Sequence, residues 1–173
     1  TQADRLSKII QRVRTYAKRQ HHEVKQENLS EIVDRALVSF RRSSLSSGID
    51  VEVKAPGKAD ALADALELEL LIVNLLKNAA AASKDSREKL ISVQLSEEAN
   101  EWLLSVSDHG QVISDKLLSR LSHPAKSFSD GLGLGLSICR LIAENHGGKL
   151  TFKPNNSKGL IVTLHLPKAN KEI

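Results

Sequence analysis

The sequence predicts an α+β fold, with a mixed sheet covered on one face by helices in a two-layer sandwich. Three observations predict it. Apolar stripes of helical period occur at 29–40, 64–83 and 134–146. Between and after them, short runs alternate apolar and polar residues as half-buried strands do. The order runs through antiparallel-type hairpins without regular βαβ alternation, which sets helices against one side of a mixed sheet.

The elements follow in order. Ala3, Leu6, Ile10, Val13 and Ala17 are spaced three and four apart, a heptad seam seeking partner helices, while Arg5, Lys8, Arg12, Arg14, Lys18 and Arg19 cover the other faces. The seam is too short to be stable alone and pairs with sequence outside the chain or with a second copy. Residues 21–26 read as a linker or short strand. Asn28 caps a helix, with Glu31 three residues on, as in a capping box, and Leu29, Ile32, Val33, Ala36, Leu37 and Phe40 form its apolar stripe. Residues 43–48 end that helix. Ile49, Val51 and Val53 alternate as a strand stopped by Pro56-Gly57. Residues 64–83 form the most apolar helix. Ile91, Val93 and Leu95, then Trp102, Leu104 and Val106, predict a hairpin turning over 97–100. A short helix spans 115–121, and 122–130, with Pro124, reads as a loop. A helix over 134–146 is closed by Gly147-Gly148. Leu150 and Phe152, then Leu160, Val162, Leu164 and Leu166, predict two closing strands around a turn at 155–159, and a frayed tail follows from Lys168.

Composition narrows the function. The 173 residues carry 25 Lys and Arg against 21 Asp and Glu, a surplus too small to argue for nucleic acid. Aromatic residues make up 3 %, too few for base-stacking platforms. Cys139 is the sole cysteine, so no intrachain disulfide forms, and a reducing, cytoplasmic setting is expected. No run has membrane-spanning length, so no membrane contact by this stretch is expected. Thr1 opens directly into helical periodicity, and the chain reads as a piece of a longer protein.

Three segments could do chemistry. Asn74 and Asn78, four apart, share one helix face. Either the pair satisfies backbone groups inside the core, or an amide oxygen ligates Mg²⁺, a cation that takes hard oxygen ligands. Lys77 is beside them and could reach a phosphate. Asp108 ends a strand two residues before Gly110. It is either a turn-forming Asp or a buried acceptor for the exocyclic amine of adenine, with Gly110 letting the backbone approach the base. Gly131, Gly133 and Gly135 lead into a helix mouth, whose free N–H groups and partial positive charge suit a polyphosphate. The pattern is neither a Walker A loop nor a dinucleotide fingerprint. Each segment is weak alone. In this order and spacing they make up the parts of an ATP site.

These residues resemble the GHKL ATPase superfamily, and within it the ATP-binding catalytic domain of bacterial two-component sensor histidine kinases. Asn74-Leu75-Leu76-Lys77-Asn78-Ala79 resembles the family's N box, Asp108-His109-Gly110 its first glycine box, and Gly131-Leu132-Gly133-Leu134-Gly135-Leu136 its second. His146-Gly147-Gly148 and Leu166-Pro167 are also family-like. The resemblance implies a Bergerat-type ATP-binding fold over 23–173, with a lid at 111–130. Residues 1–22 would be the end of the dimerisation and phosphoacceptor hairpin. By the same resemblance Asn78 holds Mg²⁺ and Asn74 assists metal or phosphates. Asp108 reads adenine, the backbone of Gly131 to Leu136 wraps the phosphates, and Lys126 contacts them from the lid.

The implied reaction moves the ATP γ-phosphoryl to a histidine on the hairpin, then to a response-regulator receiver domain, in a homodimeric full-length protein. His22-Glu23 follows the second hairpin helix and lacks the residues of a phosphoacceptor box, so the acceptor lies outside this chain. Asn74 stands where chaperone, gyrase and mismatch-repair relatives carry a general-base Glu, which favours a kinase over a water-activating ATPase. Three departures stand out. Val112 replaces a second glycine. Ser122 and Ala125 replace aromatics before the lid. Leu160 and Ile161 replace a threonine of the last strand. They motivate the alternative of a degenerate module that binds nucleotide, or only partners, without turnover.

Overall fold

The computed structural model describes residues 23–123, 134–156 and 158–168. The heptad seam of 1–20, His22 and the frayed tail from 169 lie outside the described residues, as do Lys126, Gly131, Leu132 and Gly133.

Strand β1 (Lys25–Asn28) runs directly into helix α1 (Leu29–Arg41). Asn28 turns the chain between them. Its Oδ1 accepts from the Ser30 N–H at 3.1 Å and from the Ala59 N–H at 3.0 Å, so one cap serves the helix and the neighbouring strand. The capping box differs from its expected form, because Glu31 meets the Asn28 side-chain amide at 3.4 Å. All six stripe residues of α1, Leu29 to Phe40, are buried.

Strand β2 (Asp50–Lys54) is followed by β3 (Asp60–Ala63), which pairs antiparallel with β1 in a separate two-stranded ribbon. The Ala-rich stretch 58–63 carries low strand propensity and no strand pattern of its own. The segment is a strand through its pairing with β1, and Ala59, Ala61 and Ala63 are almost fully buried. Trp102 donates its indole N–H to the Asp60 carbonyl at 3.0 Å and ties the ribbon to the main sheet.

Helix α2 (Ala65–Ser83) is the spine of the helical layer. Asp64 caps it, with Oδ1 accepting from Leu66 and Glu67 N–H groups at 3.0 Å. Strands β4 (Leu90–Glu97) and β5 (Glu101–Ser107) form the predicted hairpin, and α3 (Asp115–Ser122) follows. Helix α4 (Leu134–Asn145) leads to β6 (Lys149–Pro154) and β7 (Leu160–Pro167). The end of α4 closes as a Schellman motif: Gly148 N–H bonds the Ala143 carbonyl at 2.8 Å and Gly147 N–H the Glu144 carbonyl at 2.9 Å, with Gly147 at φ +68°.

The main sheet has the order β2-β4-β5-β7-β6, with β2–β4 parallel and the other pairs antiparallel. It is the mixed sheet the sequence predicts. Ile91, Val93, Leu95, Trp102, Leu104, Val106, Phe152, Val162, Leu164 and Leu166 are buried on one face, beneath the helices, where α1 and α4 pack on α2. The other face carries polar pairs: Ser105 and Thr163 share a hydroxyl bond at 2.8 Å, and His165 bridges Thr151 and Glu101. Among the described residues no helix is long and apolar enough to cross a membrane.

Candidate functional site

The site is built along α2. Asn74 is buried and its Nδ2 donates to the Leu70 carbonyl one turn back at 2.9 Å. Half of that amide is therefore satisfied within its own helix, as the core-capping alternative supposed. The other half faces α4: a Cβ placed on Gly135 would lie 3.5 Å from Asn74 Oδ1 and 3.9 Å from both amide atoms of Asn78. Asn78 is exposed, and Lys77 is partly exposed with no ion pair among the described residues. The i, i+4 spacing thus presents both amides to the first turn of α4, and a glycine at 135 lets the helices approach.

One turn further along, Cys139 directs its thiol toward the Leu71 carbonyl at 3.7 Å. Burial pushes that thiol up to about 12, so it remains protonated and acts as a small apolar side chain. Leu136 packs against the core, so any part it takes in holding a ligand is through its backbone.

A Gly135→Ala substitution separates packing from binding. The methyl meets its neighbours at ordinary contact distance, and alanine suits a helix better than glycine. The melting temperature should hold or rise. ATP affinity should fall about tenfold or more, since the methyl occupies the space before both amides. Thermal unfolding and calorimetric titration of the same sample check this.

Asp108 sits past the end of β5, 6 % exposed. Its Oδ1 accepts from Gly110 N–H at 2.8 Å and Leu160 N–H at 3.4 Å, while Oδ2 has no partner among the described residues. Burial raises its carboxyl above the ordinary range, opposed by those two backbone N–H bonds and by the neighbouring His109. Gly110 is required sterically: a Cβ there would lie 2.7 Å from the Ala82 carbonyl oxygen, so the aspartate turn is pressed against the last turn of α2. Ser86 and His109 brace the same turn through the His109 carbonyl (2.6 Å) and the Leu90 carbonyl (3.1 Å).

The structure brings Asn74, Lys77, Asn78, Gly135, Asp108 and Gly110 to one helix. From Asn74 to Ala82 is eight residues, about 12 Å of helix. Sequence reasoning missed Asn155 and Gly159. Asn155 donates its Nδ2 to the Asp108 carbonyl at 2.7 Å, and Gly159, at φ +93°, packs against that same carbonyl. The turn at 155–159 was visible in the sequence, but nothing local in it points to Asp108.

Among the described residues no group of three or more His, Cys, Asp and Glu could hold a metal. The donors at hand are neutral amides. That set fits Mg²⁺ held by one or two protein oxygens with phosphates and water completing its shell, and does not fit a protein-caged ion.

Residues 63–170 match the family described as histidine kinase-, DNA gyrase B- and HSP90-like ATPase. Sensor protein FixL of Bradyrhizobium diazoefficiens is 31 % identical over 176 residues, spanning 98 % of this chain and 34 % of that protein. The C4-dicarboxylate transport sensor protein DctS of Rhodobacter capsulatus is 32 % identical, spanning 96 % of this chain and 26 % of its own length. The chain thus corresponds to about a third or less of these relatives. The catalytic domain of histidine kinase ThkA superposes with a TM-score of 0.72 at 26 % identity, over 84 % of this chain and 97 % of that one. ThkA in complex with the response regulator TrrA gives 0.74 at 25 % identity, over 99 % and 50 %. With the predicted fold in place, the chain belongs to the histidine kinase-, DNA gyrase B- and HSP90-like ATPase family, among the ATP-binding catalytic domains of sensor histidine kinases.

Proposed function

We propose that this chain binds ATP with Mg²⁺ and presents the γ-phosphoryl group to a histidine on a dimerisation hairpin, for relay to a response-regulator receiver domain. The observation that carries the reading is the alignment of an adenine-type acceptor and a glycine-lined amide pair along one helix: Gly110 against Ala82 at one end, Gly135 against Asn74 and Asn78 at the other.

In this reading Asp108 Oδ2 accepts the exocyclic amine of adenine. Guanine, which presents a carbonyl there, is repelled. The backbone from Gly131 to Leu136, including Leu132, Gly133 and Leu134, follows the phosphates, with Lys77 and Lys126 adding positive charge. Asn78, assisted by Asn74, would hold Mg²⁺, which supplies charge neutralisation on the phosphates when bound. A ring nitrogen of the acceptor histidine attacks the γ-phosphorus in line, and ADP leaves. The imidazole is its own nucleophile, so Asn74 need not act as a base, and positioning provides most of the rate. The acceptor, the homodimer and the receiver domain belong to the full-length protein.

The test is calorimetric titration of ATP and GTP with and without Mg²⁺, together with labelling of the full-length protein by γ-labelled ATP. Expected are Mg²⁺-dependent binding selective for ATP and an acid-labile, base-stable phosphate on histidine. Asn78→Ala should remove the Mg²⁺-dependent gain, about tenfold. Failure to bind any nucleotide would reduce the chain to a degenerate interaction module. Rapid hydrolysis by this chain alone would move it to the chaperone and gyrase type.

A further inference from the structure

Strands β5 and β7 run antiparallel with Ser107 opposite Ile161, so the next pair outward is Asp108 and Leu160. A hydrogen-bonded pair in such a ladder exchanges two bonds, each N–H to the other's carbonyl. Here one bond follows the rule: Asp108 N–H donates to the Leu160 carbonyl at 3.0 Å. The return does not. Leu160 N–H turns to Asp108 Oδ1 at 3.4 Å, and the Asp108 carbonyl accepts from Asn155 Nδ2 at 2.7 Å instead. The carboxylate has taken the place of its own carbonyl in the ladder, and an amide from the β6–β7 turn has taken the carbonyl.

We infer that Asn155 is a positioning residue for base selection: by holding the Asp108 carbonyl out of the ladder, it leaves Leu160 N–H to the carboxylate and keeps Oδ2 turned toward the ligand. The inference rests on the adenine-reading role proposed for Asp108. The turn is built for the task. Asn155 N–H bonds the Gly159 carbonyl at 3.0 Å, Lys158 N–H bonds the Asn155 carbonyl at 3.0 Å, and Gly159 N–H bonds the Gln111 carbonyl at 3.0 Å. Those bonds hold Asn155 in place beneath the carbonyl. Without its donor, the carbonyl is free to reclaim Leu160 N–H. The carboxylate then keeps only the Gly110 bond and can rotate.

Asn155→Asp keeps the shape and removes the donor. Two measurements read it: the ratio of ATP to GTP affinity, and the pH titration of the Leu160 amide resonance, which senses Asp108 through their hydrogen bond. In the wild type the Leu160 amide should titrate with Asp108. In Asn155→Asp that titration should vanish and the preference for ATP should fall about tenfold, the loss of one positioned hydrogen bond. Lys158→Ala, which leaves the turn's backbone bonds in place, should change neither. If wild type prefers ATP, Asp108→Asn abolishes the preference and Asn155→Asp retains it, the inference fails while the ATP reading stands. If the wild type shows no preference, the ATP reading fails first. Should Asn155→Asp not fold, the wild-type titration decides: a Leu160 amide indifferent to Asp108 ionisation overturns the swapped rung.

Discussion

Asp108→Asn should lower ATP affinity about 100-fold, a loss of about 2.7 kcal/mol, with the fold intact. The geometry leaves the new amide no good orientation. Oδ1 of Asp108 accepts two backbone N–H groups, from Gly110 and Leu160. An asparagine satisfies them by keeping its oxygen there, which turns its NH₂ toward the ligand, donor against the donating amine of adenine. The flipped amide would instead set NH₂ against both backbone donors. Guanine offers an acceptor at that position, so GTP should bind the variant at least as well as ATP. Calorimetry with both nucleotides measures the inversion, and equal ATP affinity in variant and wild type would remove Asp108 from base reading.

The same substitution has a stability signature of opposite sign. Burial raises the Asp108 carboxyl above its ordinary 3.8, so the folded chain holds that proton more tightly than the unfolded chain. The contribution to stability is full below pH 3.8 and is lost as pH rises through the raised native value. Asp108→Asn removes this dependence. At neutral pH the variant should melt at the same temperature as wild type or higher, the pattern of a site where function opposes stability.

Gly159→Ala should cost about 3–5 kcal/mol of stability, lowering the melting temperature by about 10 °C. A Cβ there would lie 2.0 Å from the Asp108 carbonyl oxygen and 2.6 Å from its carbon, and Gly159 already has φ +93°. The obstacle is backbone, not the end of a flexible side chain, so the β6–β7 turn must move away. Asp108 would move with it and base selectivity would fall as well. Two other glycines calibrate the effect. Gly48 has φ +70° but open space, so Gly48→Ala should cost about 1 kcal/mol from conformation alone. Gly57 has open space and no positive φ, and Gly57→Ala should stay within about 0.5 kcal/mol. Thermal unfolding of the three variants side by side checks the order, and equal shifts would show that the contact with Asp108 carries no weight.

Among the described residues, a pattern that repeats within one element could be read from its letters. The stripe from Leu29 to Phe40, the alternation in Ile91 to Leu95 and Trp102 to Val106, the Asn28 cap and the Gly147 stop each depend on neighbours a few residues away, and all appear as elements. The pairing of Asn74 with Asn78 was equally legible, because helical period alone puts them on one face. Strand β3 was not, since Ala61 and Ala63 carry no strand signal of their own, and the strand forms by pairing with β1 and burying them. Nor was the meeting of Gly135 with two amides 57 and 61 positions earlier, or the grip of Asn155 on a carbonyl 47 residues away. Such contacts are set by strand register and by how closely two backbones can approach. Both emerge when the layers pack, and neither leaves a period in the sequence.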